Sequence, residues 1–130
     1  MTEMIDHTPR ILVVDDNEDA ATTLSFLLQA AGYDVRTCFD GKAALDVASG
    51  FSPDACVLDI SMPGMDGYEL ARRLREQATE RPQSLVLATV TAYGDHAHLE
   101  RATDAGFDLH FTKPADPSEV ADQLGEYVRR

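Results

Sequence analysis

The sequence is short of basic residues, of cysteine and of long apolar stretches, and each shortage excludes something. Eleven Lys and Arg stand against 23 Asp and Glu, a formal charge of −12. A nucleic-acid backbone is held by clustered Lys and Arg. The one small basic group is Arg72, Arg73 and Arg75, so no direct nucleic-acid binding is expected. An acidic excess favours metal cations or basic partner surfaces. No apolar run approaches the roughly 20 residues that cross a bilayer, so no membrane contact is expected either. The opening MTEMIDHTPR lacks the basic and apolar regions of a secretory signal. Residues 1–9 are expected to be a short flexible tail, and the location cytoplasmic. The two cysteines, Cys38 and Cys56, sit in apolar runs with no CxxC neighbour and no metal spacing. Two buried, reduced thiols are expected.

What remains is ordinary for one globular domain: 130 residues, 44% hydrophobic and 26% charged. Apolar runs alternate five times with helical patterns. Strands are predicted at 11–15, 34–39, 54–59, 84–90 and 108–112. The first helix carries Ala20, Leu24, Leu27, Leu28 and Ala31 and ends at Gly32. The second carries Ala44, Leu45 and Ala48 and should stop at Gly50. The third carries Leu70, Ala71 and Leu74 and ends in the polar stretch around Arg81 and Pro82. The fourth, near 95–105, is poorly patterned, with Leu99 and Ala102 as anchors. The fifth carries Val120, Leu124, Tyr127 and Val128. Asp116, Pro117 and Glu119 give that last helix good start chemistry. Alternating units of this length imply parallel strands with right-handed crossovers, an α/β sheet covered by helices on both faces. The second strand carries Asp34 and Arg36 and is expected at an edge; the other four are expected in the interior.

One stretch breaks the pattern. VLDISMPGMDGYEL, residues 57–70, begins as a buried strand, then meets Asp59 and at once Pro63, Gly64 and Gly67. A parallel strand buried on both faces favours Val, Ile and Leu throughout. A carboxylate just past its end is either a helix cap or chemistry. Ligands of open α/β sheets bind beyond the carboxyl ends of the strands. Asp15 and Asp16 follow the first strand, Asp59 ends the third, Thr91 and Ala92 follow the fourth, and Lys113 and Pro114 follow the fifth. Three carboxylates and one ammonium leave a charge of −2. Clustered carboxylates raise one another's pKa unless a cation compensates. Oxygen ligands without His or Cys select Mg2+, Mn2+ or Ca2+ over zinc. Few protein ligands leave room for waters, the usual Mg2+ arrangement beside phosphate. Each residue also has a plainer role. The run Asp15 to Asp19 can favour the positive end of the first helix, Asp59 can cap a turn, and Lys113 can be solvated. The acidic run is not an EF-hand loop, because no Gly-containing twelve-residue loop ending in Glu follows.

DD after the first strand, D-x-x-M-P-G-M-D-G after the third, T-A after the fourth and K-P after the fifth resemble the receiver domain of two-component response regulators. The resemblance covers residues 10–130, and all its polar positions stand in order. It implies a doubly wound, flavodoxin-like sheet of strand order 2-1-3-4-5. It implies that Asp59 accepts a phosphoryl group from a phosphohistidine of a histidine kinase or histidine phosphotransfer domain, forming an aspartyl phosphate. It implies Mg2+ held by Asp16, Asp59 and the backbone carbonyl of Ser61, with Asp15 acting through water or a second contact. Lys113 would neutralise phosphoryl oxygens, Thr91 would donate its hydroxyl to one, and the Lys113–Pro114 bond is a candidate cis peptide that helps aim the lysine. Pro63, Gly64 and Gly67 would shape the loop and fix the angle of the third helix, with Met62 and Met65 as loop packing. Such a domain phosphorylates and dephosphorylates itself and signals by protein contact, without turnover of an external substrate.

The resemblance has one departure. Family members couple Thr91 to an aromatic on the fifth strand, where this chain has His110. His110 either makes the output face pH-sensitive or is a half-exposed histidine without that role. His7, His96 and His98 are expected to be solvated, and Tyr93 and Ser61 to flank the path of the hydrolytic water. Three other functions compete. A phosphorylation-independent pseudo-receiver normally loses an acid or the lysine, and all are kept here. A Mg2+-dependent aspartyl phosphatase of the haloacid dehalogenase type has a second acid two residues after its nucleophile, where this chain has Ser61. An FMN-binding flavodoxin needs a Ser/Thr/Gly loop where Asp15 and Asp16 stand. The 130 residues fit either a single-domain regulator or a piece of a larger protein; DLHFTKPADP also resembles receivers attached to hybrid histidine kinases.

Overall fold

The computed structural model describes residues 7–78, 85–92 and 96–128. Ten elements alternate along the chain: β1 (Arg10–Val14), α1 (Glu18–Ala30), β2 (Asp34–Cys38), α2 (Gly41–Phe51), β3 (Ala55–Leu58), α3 (Gly67–Gln77), β4 (Val86–Thr91), α4 (His96–Asp104), β5 (Leu109–Thr112) and α5 (Pro117–Val128). The strands form one parallel sheet of order β2-β1-β3-β4-β5. The doubly wound fold and its strand order are as expected. β2 lies at an edge as its charges suggest. β5 is the other edge, not an interior strand: its run alternates, with Leu109 and Phe111 buried, His110 half-buried and Thr112 exposed.

Alternation along the strands divides the core between the two faces. Ile11, Val13, Val57, Ala88 and Phe111 pack against α1 and α5. Leu12, Val14, Cys56, Leu58 and Leu87 pack with Leu70, Leu74 and Ala102 on α3 and α4. Both cysteines are buried free thiols, and burial pushes Cys56 far above the ordinary range. Among the described residues no helix is long and apolar enough to cross a membrane.

Several boundaries differ from the sequence reading. α2 runs through Gly50 to Phe51, and Ser52 takes the left-handed turn beyond it at φ 51°. Leu99 stays exposed on α4, and the anchoring falls to Ala102 with Ala105 and Phe107. Asp116 accepts from the Ser118 amide at 2.9 Å, but Glu119 is bonded to Gln123 instead of closing a capping box. His7 is half-buried and not simply solvated. Its Nε2 meets Asp54 at 2.9 Å, and that carboxylate also accepts from the Arg10 amide at 2.8 Å. The stretch around Arg81 and Pro82, Tyr93 and the His96 side chain lie outside the described residues.

One side chain fastens α3 to the far end of β4. Arg75 donates to the Leu85 carbonyl at 2.6 Å and the Gly106 carbonyl at 2.5 Å, and lies 3.4 Å from Asp108. Asp108 in turn accepts from the Leu87 amide at 2.9 Å. A planar guanidinium serves several acceptors at once, and an ammonium does not. Arg75→Lys is expected to lose about 1–2 kcal/mol in urea unfolding, nearly as much as Arg75→Ala.

Candidate functional site

The helix starts lie at the carboxyl end of the sheet, and their caps answer the question that Asp59 raised. Asn17 accepts from the Ala20 amide, Asp40 from Ala43 and Asp66 from Glu69, at 3.1, 2.8 and 2.9 Å. Asn17 therefore caps α1 and Asp66 caps α3. Asp15, Asp16 and Asp59 cap neither helix, and the sheet itself positions two of them. The Asp15 amide donates to the Cys38 carbonyl at 3.2 Å, and the Asp59 amide to Val14 at 2.9 Å. On the other side the Lys113 amide donates to the Thr91 carbonyl at 2.8 Å. Ladder bonds thus carry one residue past the end of β1, β3 and β5.

The result is an acidic cluster with one cation inside it. Carboxylate oxygens of Asp15, Asp16 and Asp59 lie within 4.8 Å of one another. Asp15 and Asp59 are each only 7% exposed, while Asp16 faces solvent. Lys113 Nζ stands 3.1 Å from Asp15 Oδ2 and 3.6 Å from Asp59 Oδ2. Burial, then the charge of Asp15, push Asp59 up to about 6, against the opposing pull of Lys113. Burial alone would lower Lys113, but its hydrogen bond to Asp15 and the charges of Asp59 and Asp15 outweigh it and hold the ammonium above its ordinary value. Near neutral pH the cluster is therefore three carboxylates against one ammonium, short of positive charge. All three present oxygen, and Asp16 is open to solvent, which suits a hard divalent cation with waters in its shell.

The loop from Asp59 to α3 is held by backbone contacts. The Ser61 amide reaches Asp59 Oδ1 at 3.4 Å, and the Gly67 amide donates to the Ile60 carbonyl at 3.0 Å. Gly64 takes φ +80°, which a side chain would oppose. A Cβ on Gly67 would overlap the Asp59 carbonyl oxygen and lie 2.8 Å from Ile60 Cα. Met62 is buried in the core, and Met65 packs over Gly41. The Lys113–Pro114 bond is cis.

The remaining site residues differ in depth. Thr91 is buried at the end of β4, and Ser61 is exposed. His110 lies three residues before Lys113 on β5; burial holds its pKa below the ordinary value, with Asp108 opposing. Any change in its charge thus falls on the acid side of 6.5. The sequence reading passed over Thr89 and Tyr68. Thr89 is 1% exposed and pairs in register with His110. Its hydroxyl inside the apolar run VLATV, two residues before Thr91, was the available clue. Tyr68, at the start of α3, lies under Arg101 of α4, whose guanidinium is 4.3 Å from the ring centre.

The doubly wound sheet and the acids, hydroxyl and lysine at its carboxyl edge define a CheY-like class of protein. The sequence model of the response regulator receiver domain matches residues 11–125, and the chain belongs to that family. It is 37% identical to the alkaline phosphatase synthesis transcriptional regulatory protein PhoP of Bacillus subtilis, over 93% of this chain and 49% of that protein. It is 30% identical to sporulation initiation phosphotransferase F of the same organism, over 92% and 93% of the two chains. A solved putative response regulator from Chloroflexus aurantiacus superposes with a TM-score of 0.85 at 31% identity, over 95% and 100% of the two chains. The chain spans about half the length of PhoP and of RpaA from Synechocystis. It is a receiver domain of two-component signalling.

Proposed function

We propose that Asp59 takes a phosphoryl group from a phosphohistidine of a histidine kinase or histidine phosphotransfer domain, and that the domain then signals by protein contact in the cytoplasm. The observation that carries this is Lys113 standing between Asp15 and Asp59 in a cluster of three carboxylates. With a pKa of about 6, Asp59 is ionised near neutral pH and free to act as nucleophile. One of its oxygens bonds to phosphorus as the phosphorus–nitrogen bond breaks, and the imidazole leaves with the bonding electron pair. Hydrolysis of the aspartyl phosphate later returns the free carboxylate. Lys113 neutralises phosphoryl oxygens, and Thr91 offers its hydroxyl to one. Asp16, Asp59 and the Ser61 carbonyl would hold Mg2+, with Asp15 behind them. When bound, the ion supplies the positive charge that three acids and one lysine lack. Little covalent work falls to the protein, which positions and neutralises.

Intact-mass spectrometry after incubation with acetyl phosphate tests this. One added phosphoryl group is expected, requiring both Mg2+ and Asp59 and absent in Asp59→Asn. Lys113→Ala should slow its appearance at least about a hundredfold, the scale of a lost charge-stabilising group. An unmodified mass in a folded, Mg2+-binding protein would point to the pseudo-receiver or to hydrolysis too fast to trap; beryllofluoride-induced shifts at Thr91 and His110 would indicate the second.

A further inference from the structure

Thr89 and His110 are directly opposite each other on β4 and β5, and both line a cavity of ≈ 10 Å³ between the sheet and α4. Thr91, Tyr68, Leu99 and Ala102 complete much of its wall. Among the described residues, Thr89 Oγ1 and His110 Nδ1 are buried side-chain polar atoms that no protein group meets. Two such atoms on residues that line one space are costly unless they are joined, since an unsatisfied buried donor or acceptor costs about 1–3 kcal/mol.

Their chemistry is complementary. Thr103 Oγ1 donates to the Leu99 carbonyl on α4 at 3.0 Å, which uses its only proton. At its 3.5 Å contact with His110 Nε2 it is left as the acceptor, which assigns the ring hydrogen to Nε2. The neutral ring then carries a bare Nδ1 lone pair, and Thr89 a hydroxyl that can donate. The space is about the size of a single water.

We propose that this cavity is a one-water site joining Thr89 Oγ1 to His110 Nδ1, and that the chain Thr89–water–His110–Thr103–Leu99 ties the end of β4 to α4. Thr91, two residues along at the carboxyl end of β4, also lines this cavity. A change at Asp59 that moves Thr91 reshapes the water site and so pulls on α4 through His110. Thr89 is thus a positioning residue for the output helix and takes no part in phosphoryl transfer. The signalling half of this inference rests on Asp59 being the phosphoacceptor; the resting bond does not.

The test is nitrogen-15 spectroscopy of uniformly labelled protein at pH 7.5, with intact mass on the same samples. In the resting wild type, His110 should be the Nε2–H tautomer with a hydrogen-bonded Nδ1. Thr89→Val should shift Nδ1 toward the position of an unbonded ring nitrogen, and Thr89→Ser should leave it in place. An Nδ1 resonance unchanged in folded Thr89→Val overturns the bond. With acetyl phosphate and Mg2+, wild type and Thr89→Val should gain the phosphoryl group to the same extent. The accompanying shift of the Leu99 and Thr103 amides should appear in wild type and be lost in the variant. Equal amide shifts in both overturn the tie to α4. Wild type that gains no phosphoryl group counts against Asp59 as acceptor, and the resting spectra still decide the Thr89–His110 bond.

Discussion

Gly67→Ala is expected to destabilise the domain by about 2 kcal/mol and to slow phosphoryl uptake at Asp59 about tenfold or more, whereas Gly50→Ala should stabilise it by about 0.5–1 kcal/mol. Both glycines lie in helices, and in both the added methyl removes backbone freedom from the unfolded chain. They differ in what the methyl meets. At Gly50 nothing lies within 4 Å. At Gly67 it would overlap the carbonyl oxygen of Asp59 and press on Ile60 Cα at 2.8 Å. Those are backbone atoms, which cannot swing aside as the end of a side chain would. Relief comes by moving the start of α3 away from the end of β3, and that displaces the residue whose carboxylate faces Lys113. Urea unfolding measures the two opposite signs, with about 4 °C of Tm per kcal/mol as a thermal counterpart at this size. The rate of mass gain with acetyl phosphate measures the displacement. Two substitutions of equal sign would mean that the approach of α3 to β3 is not as tight as the contact distances state.

What the sequence made legible was governed by local chemistry. Val, Ile and Leu fill strands buried on both faces, so the ends of β1 and β3 are visible where Asp15 and Asp59 interrupt the run. Asp116 and Pro117 mark the start of α5 because a cap and a first-turn proline need only their own neighbours. What needed the tertiary structure was hidden. β5 alternates His110 and Thr112 with buried Leu109 and Phe111, an alternation only four residues long, and the sheet order is what makes it an edge. Gly50 has the residue type of a helix stop, yet α2 continues and Ser52 takes the left-handed turn. His7 finds Asp54 across 47 positions, and Thr89 finds His110 only through the register of two strands. The carboxylates themselves were visible, but that Asn17 and Asp66 relieve them of capping duty was not.

Asp59→Asn should make the metal-free protein more stable, by about 2 kcal/mol above pH 7, while abolishing its phosphorylation. Asp59 titrates at 3.8 in a model peptide and at about 6 in the fold, because burial and then the charge of Asp15 disfavour its ionised form. The folded chain therefore binds the Asp59 proton more tightly than the unfolded chain. The stability that this proton confers is fully present below 3.8 and is lost as pH rises through about 6. A rise of this size sets a ceiling of about 3 kcal/mol, since each pH unit is worth about 1.4 kcal/mol. Asparagine keeps the shape, carries no charge and does not titrate. The two proteins should be equally stable near pH 3.8, and the variant's advantage should grow through pH 6 and then level off. Urea unfolding in EDTA across this range measures the divergence. Millimolar Mg2+ should narrow it, because a cation that binds only the folded wild type adds stability by mass action and offsets the carboxylate repulsion. A variant less stable than wild type at pH 7 without metal would mean that Lys113 more than compensates the burial of Asp59. The cluster would then be a structural ion pair and not a site held under strain for an incoming cation and phosphoryl group.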